Sequence, residues 1–111
     1  VNVIGGMRIY EPAADAAIAA ALMSSYRNKM IPHDTVIFGE IGLTGEIRSV
    51  SQVEKRVSEA FRMGFRRCVV PKGNEDALRK FLISGTYAGC RIDYISGIQE
   101  LNPLFGQAVS E

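Results

Sequence analysis

Apolar residues along the chain follow two alternating patterns, short β-branched runs and longer stretches with helical spacing. The short runs are rich in valine, isoleucine and aromatic residues, a composition typical of strands. Strands are therefore predicted at residues 1–4, 7–10, 35–38, 68–70 and 91–95. Gly5-Gly6 ends the first run and Pro71 stops the fourth.

Helical spacing of apolar residues fills most of the sequence between these strands. Helices are predicted at residues 12–27, 53–63, 74–82 and 98–101, the last ended by Asn102-Pro103. The first helix begins at Pro12, whose missing N–H costs nothing there, and its seven alanines allow another backbone to approach closely. Ser51 and Glu54 match a capping box before the second helix. Asn74 is placed to cap the third helix.

A glycine-rich hairpin is predicted at residues 39–50, in the middle of the chain. Thr44 and Gly45 form its turn, with Ile41 before the turn and Ile47 after it. Strands thus alternate with helices around one hairpin, which predicts an α/β (α+β) fold. The sequence has no repeat, low-complexity tract or linker, so we expect a single domain over residues 1–111.

The composition fits one globular domain, because 47% of the 111 residues are hydrophobic and 23% are charged. A net charge of +1 means that any nucleic-acid surface must come from local clustering of basic residues. Cys68 lies in an apolar run and is expected to be buried, and two cysteines suit a reducing cytoplasm. No signal-peptide pattern or membrane-spanning segment is present in the sequence. Because Val1 opens a strand without a methionine, we expect a fragment of a longer protein.

The residue patterns needed for nucleotide binding, metal binding and nucleophilic catalysis are absent from this sequence. There is no phosphate loop of the G-x-x-x-x-G-K-[ST] type and no Cys/His cluster at metal-ligand spacing. His33, between Pro32 and Asp34, is expected to be a solvated loop residue. No G-x-S-x-G motif supplies a nucleophile that could use this histidine. We therefore expect neither a metal nor another cofactor in this domain.

Three segments resemble, in their order and spacing, the peptidase domain of the Lon family. They are E-P-A-A-D at residues 11–15, F-G-E-I-G-L-T-G-E-I at residues 38–47 and V-V-P-K-G-N at residues 69–74. With the V-N-V-I-G-G opening and V-S-Q at residues 50–52, the sequence is similar above all to the Lon-like C-terminal domain of the bacterial RadA (Sms) family. The resemblance implies a Lon-peptidase-like domain of the ribosomal protein S5 domain 2-like type, in which helices pack on a mixed sheet with a central hairpin.

The residues that this resemblance places at the Lon catalytic dyad cannot form a dyad. The serine position falls on Ala13, which has no nucleophile, and the lysine position falls on Glu54. Lys55 is one residue later and points about 100° away on a helix. The resemblance therefore implies a non-proteolytic pseudo-peptidase. The enzyme alternative is a peptidase whose nucleophile has moved to another hydroxyl, for which the candidates are Ser24, Ser25 and Ser51.

Basic residues cluster after the hairpin, where six of the 13 lysines and arginines lie within 18 residues. The candidate DNA-contacting residues are Arg48, Lys55, Arg56, Arg62, Arg66, Arg67 and Lys72. One interpretation is a solvated helix face with salt bridges to Glu54 and Glu59. The other is a surface for DNA phosphates, which requires only lysine and arginine on one face. No aromatic residues interleave with the basic ones in a way that predicts base stacking.

The resemblance also implies a function. It suggests a hexameric DNA-dependent ATPase that promotes branch migration in recombinational DNA repair, with ATP and Mg²⁺ bound upstream of Val1. The Lon-like domain would contact branched or single-stranded DNA and form a homo-oligomeric ring, with a recombinase as a further partner, in the bacterial cytoplasm. A pure protein-interaction module, using the alanine-rich helix or the apolar residues 101–105, is the other alternative.

Overall fold

The structure is a computed structural model that describes residues 2–4, 7–9, 12–27, 31–83 and 89–104. The strands in this part of the chain are β1 (Asn2–Ile4), β2 (Met7–Ile9), β3 (Thr35–Ile37), β4 (Glu40–Ile41), β5 (Ile47–Arg48), β6 (Arg67–Pro71) and β7 (Arg91–Ile95). The helices are α1 (Asp15–Arg27), α2 (Val53–Arg62) and α3 (Glu75–Ile83), and short 3₁₀ turns occupy Pro12–Ala14, Lys72–Asn74 and Ile98–Leu104. The predicted α/β class is confirmed. The Gly5-Gly6 pair and the end of the apolar tail at Phe105 lie outside the described residues.

A three-stranded parallel sheet, in the order β3-β6-β7, forms the centre of the domain. The central strand β6 pairs Cys68 with Val36 on one side and with Ile92 on the other. Cys68, Val69 and Val70 are completely buried, as expected for a parallel strand covered on both faces. The predicted burial of Cys68 is confirmed, and desolvation raises the pKa of its thiol to about 12.

The two faces of the sheet bury different helices. Cys68 and Val70 belong to a cluster with the apolar residues of α2 and α3, which include Val53, Val57 and Leu78. Val69 points to the opposite face and belongs to a cluster formed by Ala16 and Ala20 of α1 together with Ile37, Ile47, Ile95 and Leu101. The domain therefore has three layers, with α2 and α3 on one face and α1 on the other.

The predicted hairpin forms from β4 and β5, which pair antiparallel, with Ile41 opposite Ile47. Gly45 has a φ of 85°, a left-handed conformation that suits glycine in the turn. A single bridge between Glu46 and Gly97 joins this hairpin to the segment after β7. Within the described residues the strands thus form three separately paired units, β1-β2, β3-β6-β7 and β4-β5, whereas the sequence predicted one mixed sheet. The difference arises because β4 and β5 are only two residues long and make no ladder with the parallel strands.

Two predicted helix caps are wrong. The N-cap of α2 is Gln52, in a left-handed conformation, and it makes no side-chain cap hydrogen bond. The Ser51–Glu54 capping box does not form, because the N-cap position falls on Gln52, one residue after Ser51. The Ser51 carbonyl oxygen instead accepts a hydrogen bond from Nε of Arg56 at 2.7 Å. Asn74 does not cap α3, because its side chain is buried and bonded to Val50, 24 residues away. The cap predicted at Asn74 is thus replaced by a distant partner, and the cap predicted at Ser51 by a start of α2 one residue later.

The segment after β7 also differs from its prediction. The predicted helix at residues 98–101 is a 3₁₀ turn that continues through Pro103 to Leu104, so Asn102-Pro103 does not end it. Proline is tolerated there because a short 3₁₀ turn needs few backbone N–H donors. In the part of the chain that the structure describes, no helix combines the length and the apolarity needed to cross a membrane.

Candidate functional site

The start of α1 and the hairpin hold each other through backbone contacts. The Gly39 N–H donates to the Ala13 carbonyl oxygen at 2.8 Å, and the Ala16 N–H donates to the Gly39 carbonyl oxygen at 3.0 Å. A Cβ atom on Gly39 would lie 2.7 Å from Cγ2 of Ile47 and 3.1 Å from Cβ of Ala16. Glycine at position 39 and small residues on α1 are therefore both required for this approach, which confirms the predicted role of the alanines.

Ala13, at the position that resembles the Lon serine, lies inside the apolar core. It is only 5% exposed and packs in the same cluster as Val50, Val53 and Val57. Glu54, at the position that resembles the lysine, follows Val53 in the first turn of α2 and is half-buried. Ala13 thus contributes a buried methyl group, and Glu54 adjoins Val53, which packs in the same cluster as Ala13.

Of the hydroxyls considered for a relocated nucleophile, Ser51 has an arginine as its neighbour. Ser51 lies before α2, and its Oγ accepts a hydrogen bond from Arg56 at 3.4 Å. An arginine remains protonated at any physiological pH, so it cannot serve as a general base. Ser25 is exposed on α1, and Ser24 precedes it on the same helix.

The basic residues predicted to contact DNA fall into three groups, and the first lies on α2. Lys55 and Arg62 are two helical turns apart and lie opposite the buried face of the helix. Arg62 forms an ion pair with Glu59, whereas Lys55 has no ion-pair partner among the described residues. Arg56 lies on the flank of the helix and is held by Ser51. Within this group, Arg62 fits the interpretation of a salt-bridged helix face, whereas Lys55 does not.

The second group consists of Arg48 on the hairpin and Lys72 after β6, both with acidic neighbours. Arg48 pairs with Glu46 at 3.1 Å, and Lys72 pairs with Glu75 at 3.6 Å. The hydroxyl of Thr44 donates to Glu46 and, with further hydrogen bonds that include Arg48, lowers the pKa of this carboxyl to about 2. Glu46 therefore stays ionised near neutral pH, and it offsets the charge of Arg48.

The third group lies at the amino end of the parallel strands. Arg67 of β6 pairs with Asp93 at 2.6 Å, both side chains being partly buried, and Arg91 of β7 contacts the same carboxylate at 3.1 Å. Arg66 is exposed and has no ion-pair partner in the described part of the chain. With two guanidinium groups on one carboxylate, this end of the sheet carries excess positive charge. Arg91 is not among the residues that clustering along the sequence predicted, although its position at the start of a strand resembles that of Arg67.

An apolar groove that the sequence did not reveal runs between β3 and α2. Its lining consists of Val36, Phe38, Arg56, Glu59, Ala60, Met63 and Phe65. The β3–β6 pairing brings the end of β3 close to the residues that follow α2, so Phe38 and Phe65 line one groove although they are far apart in sequence. The observation that no aromatic residues interleave with the basic ones concerned linear spacing, and linear spacing could not reveal this groove.

Neither a metal nor a redox site is evident in the described residues. No group of three or more His, Cys, Asp or Glu side chains lies close enough there to hold a metal ion. His33 is exposed in a turn before β3, as predicted. Cys68 and Cys90 are free cysteines, and Cys68 is inaccessible in the core.

Comparison with known proteins identifies the family. Residues 6–74 match the family model described as subunit ChlI of Mg-chelatase. The chain belongs to the ChlI family. Among curated proteins, this ChlI-family chain is similar to the DNA repair protein RadA from several bacteria. It is 53% identical to the protein of Haemophilus influenzae over 75 residues, and 50% identical to that of Escherichia coli over 74 residues.

These matches show that the ChlI-family chain is similar to proteins named DNA repair protein RadA, and they cover a limited part of those proteins. The aligned residues are 68% of this chain and 16% of the H. influenzae protein. For the RadA of Aquifex aeolicus, which is 53% identical over 75 residues, they are 68% of this chain and 17% of the relative. The chain thus spans about a sixth of the RadA proteins that it matches.

Proposed function

We propose that the chain is a non-proteolytic, DNA-contacting scaffold domain of a RadA-type DNA-dependent ATPase that acts in recombinational DNA repair through branch migration. The observation that carries the proposal is the group of exposed cations around α2 and the start of β6 in a domain similar to RadA. In this proposal the fold is the Lon-peptidase-like form of the α/β class, and the compartment is the bacterial cytoplasm. ATP and Mg²⁺ are bound by another part of the protein.

The absence of proteolysis follows from the chemistry of two positions. Ala13 is a buried methyl group, and Glu54 is a carboxylate with no nucleophile to activate. The alternative of a relocated serine is weakened by Ser51, whose hydroxyl contacts an arginine that cannot act as a base. A fluorophosphonate probe is expected to label no serine of the folded chain, and labelling of Ser51 would restore the peptidase hypothesis.

The DNA contact is proposed to run through Lys55 and Arg66, with the Arg67–Asp93–Arg91 group adding charge at the sheet edge. Exposed cations without acidic partners cost little to bring to a phosphate, because no existing ion pair has to be broken. Contacts of this kind are independent of sequence and release counterions from DNA. Binding should therefore be weak and should fall steeply as the salt concentration rises.

Fluorescence anisotropy with labelled DNA over a series of salt concentrations tests this contact. Lys55→Glu and Arg66→Glu should each weaken binding by roughly tenfold at low salt and reduce the slope of log K against log salt by about 1. Lys80→Glu on α3 is the matched control, since it makes the same charge change on an exposed residue outside the proposed surface. Equal losses of affinity in all three variants would mean that only the net charge of the chain matters. Unchanged DNA binding by Lys55→Glu and Arg66→Glu would refute the contact.

The scaffold role is proposed to use the outward face of α1. This face carries Ile18, Ala21 and Leu22, of which Leu22 is 67% exposed, and its only charged residues lie at the helix ends. A homo-oligomeric ring, a hexamer in this proposal, would bury these side chains between neighbouring copies. Light scattering should show self-association that Leu22→Glu abolishes, and a monomer at high concentration would contradict the ring. Retention of a recombinase by a nuclease-treated sample would instead favour a protein-interaction module.

A further inference from the structure

The groove between β3 and α2 has an apolar floor, with Arg56 and Glu59 as the charged residues of its lining. Phe38 and Phe65 are half-buried in it, packed against the core cluster beneath α2, so each ring is fixed while part of it remains accessible. Met63, the C-cap of α2, forms one wall and is 69% exposed. An exposed thioether beside two aromatic rings leaves apolar surface uncovered where the core does not require it.

A second, polar pocket continues this groove along the same edge. It is lined by His33, Asp34, Met63, Gly64, Phe65 and Arg66, and thus shares Met63 and Phe65 with the apolar groove. Arg66 is held by its backbone, since its N–H donates to the Asp34 carbonyl oxygen at 3.0 Å, while its side chain is exposed. Gly64 borders open space, since no atom lies within 4 Å of where its Cβ would be, and its φ of 103° suits glycine at this position. The apolar groove therefore adjoins the exposed guanidinium group of Arg66.

We propose that this groove binds one unstacked base of single-stranded DNA, with a neighbouring phosphate on Arg66. The inference rests on the proposed function and specifies the form of DNA that this site takes. A nucleotide joins a flat apolar ring to an anion. This edge of the domain offers a complementary arrangement, an apolar groove beside a cation. Arg56 adds a second guanidinium at the opposite wall, and Glu59 beside it is neutralised by Arg62.

Duplex DNA does not fit this arrangement, because a base in a duplex is stacked and paired and cannot enter a side groove without being flipped out. Single strands present their bases freely, and aromatic or apolar walls stack them with little regard to sequence. The groove should therefore favour single-stranded over duplex DNA. The outward cations of α2, by contrast, should bind the phosphates of both forms alike.

The experiment uses the 111-residue chain and thymidine oligonucleotides that carry one 2-aminopurine, single-stranded or annealed to a complement. Insertion of the base should change its fluorescence in the single strand and not in the duplex. Met63→Ser and Phe65→Ala should each weaken single-strand binding by about tenfold and remove the fluorescence change. Leu43→Ser, which also changes an exposed apolar residue and lies in the hairpin turn outside the groove and the proposed oligomer face, is the matched control and should leave both unchanged. Circular dichroism checks the fold, and Met63→Ser, at an exposed position, remains informative if Phe65→Ala unfolds.

The outcomes separate this inference from the proposed function. Single-strand binding that depends on Arg66 but shows no fluorescence change and no effect of Met63→Ser overturns base insertion and leaves the DNA contact standing. Absence of DNA binding by the unaltered chain overturns both. Self-association that is lost in Met63→Ser, without DNA, assigns the groove to a second copy and also overturns the inference.

Discussion

Asn74 is a buried amide that joins two distant segments, and its removal gives a quantitative test of the fold. Its Oδ1 accepts the Val50 N–H at 2.9 Å, and its Nδ2 donates to the Val50 carbonyl oxygen at 3.1 Å. Asn74→Ala breaks both bonds and leaves two buried backbone groups of Val50 without partners. At about 1 kcal/mol for each lost bond, with a further penalty for unsatisfied buried groups, the loss of stability should be roughly 2–4 kcal/mol.

Urea denaturation followed by circular dichroism measures this loss, and thermal unfolding should shift down by roughly 8–20 °C for a domain of this size. Asp76→Ala is the matched control on the same segment, because Asp76 is 92% exposed and its ion pair with Arg79 should contribute less than about 1 kcal/mol. A loss below about 0.5 kcal/mol for Asn74→Ala would show that water replaces the amide and that Val50 does not depend on it.

Three further predictions concern the core and the charged edge. Gly39→Ala should destabilise the domain by about 1–3 kcal/mol in urea denaturation, because its Cβ would overlap Ile47; an unchanged midpoint would contradict the close approach. Because burial raises the pKa of Cys68 to about 12, iodoacetamide at pH 8 should spare Cys68 in the native protein and modify it only after denaturation, as mass spectrometry of its peptide can show. Asp93→Asn should cost about 1–2 kcal/mol, since Arg67 and Arg91 lose their shared carboxylate, and a stability above that of the unaltered chain would refute this.

The sequence predicted the strands, the three α-helices and the hairpin because each depends on short-range information. The β-branched runs of β3 and β6, the alanines of α1 and the Thr44-Gly45 turn act over a few neighbouring residues. The cap at Asn74 was predicted wrongly for the opposite reason, because its side chain bonds to Val50, 24 residues away. The cap at Ser51 was also predicted wrongly, because the N-cap of α2 is Gln52.

The candidate site was predictable as a list of residues and not as an arrangement. Clustering along the sequence singled out Lys55 and Arg66, but it could not show that Arg67 is paired across the sheet with Asp93, 26 residues away. Nor could it place Phe38 beside Phe65, because that contact depends on the parallel pairing of β3 with β6. Ion pairs between residues distant in sequence decide which basic side chains remain available to a ligand.

The burial of Ala13 has a consequence for protein engineering. Installing a serine at this position would place a hydroxyl beside Val50, Val53 and Val57, and a lysine in place of Glu54 would not open that cluster to a substrate. A solvent-accessible cleft beside Ala13 would first require smaller or polar residues in this apolar cluster. Such changes would remove packing that supports the central sheet. Two point substitutions at positions 13 and 54 are therefore not expected to create a peptidase site in this domain.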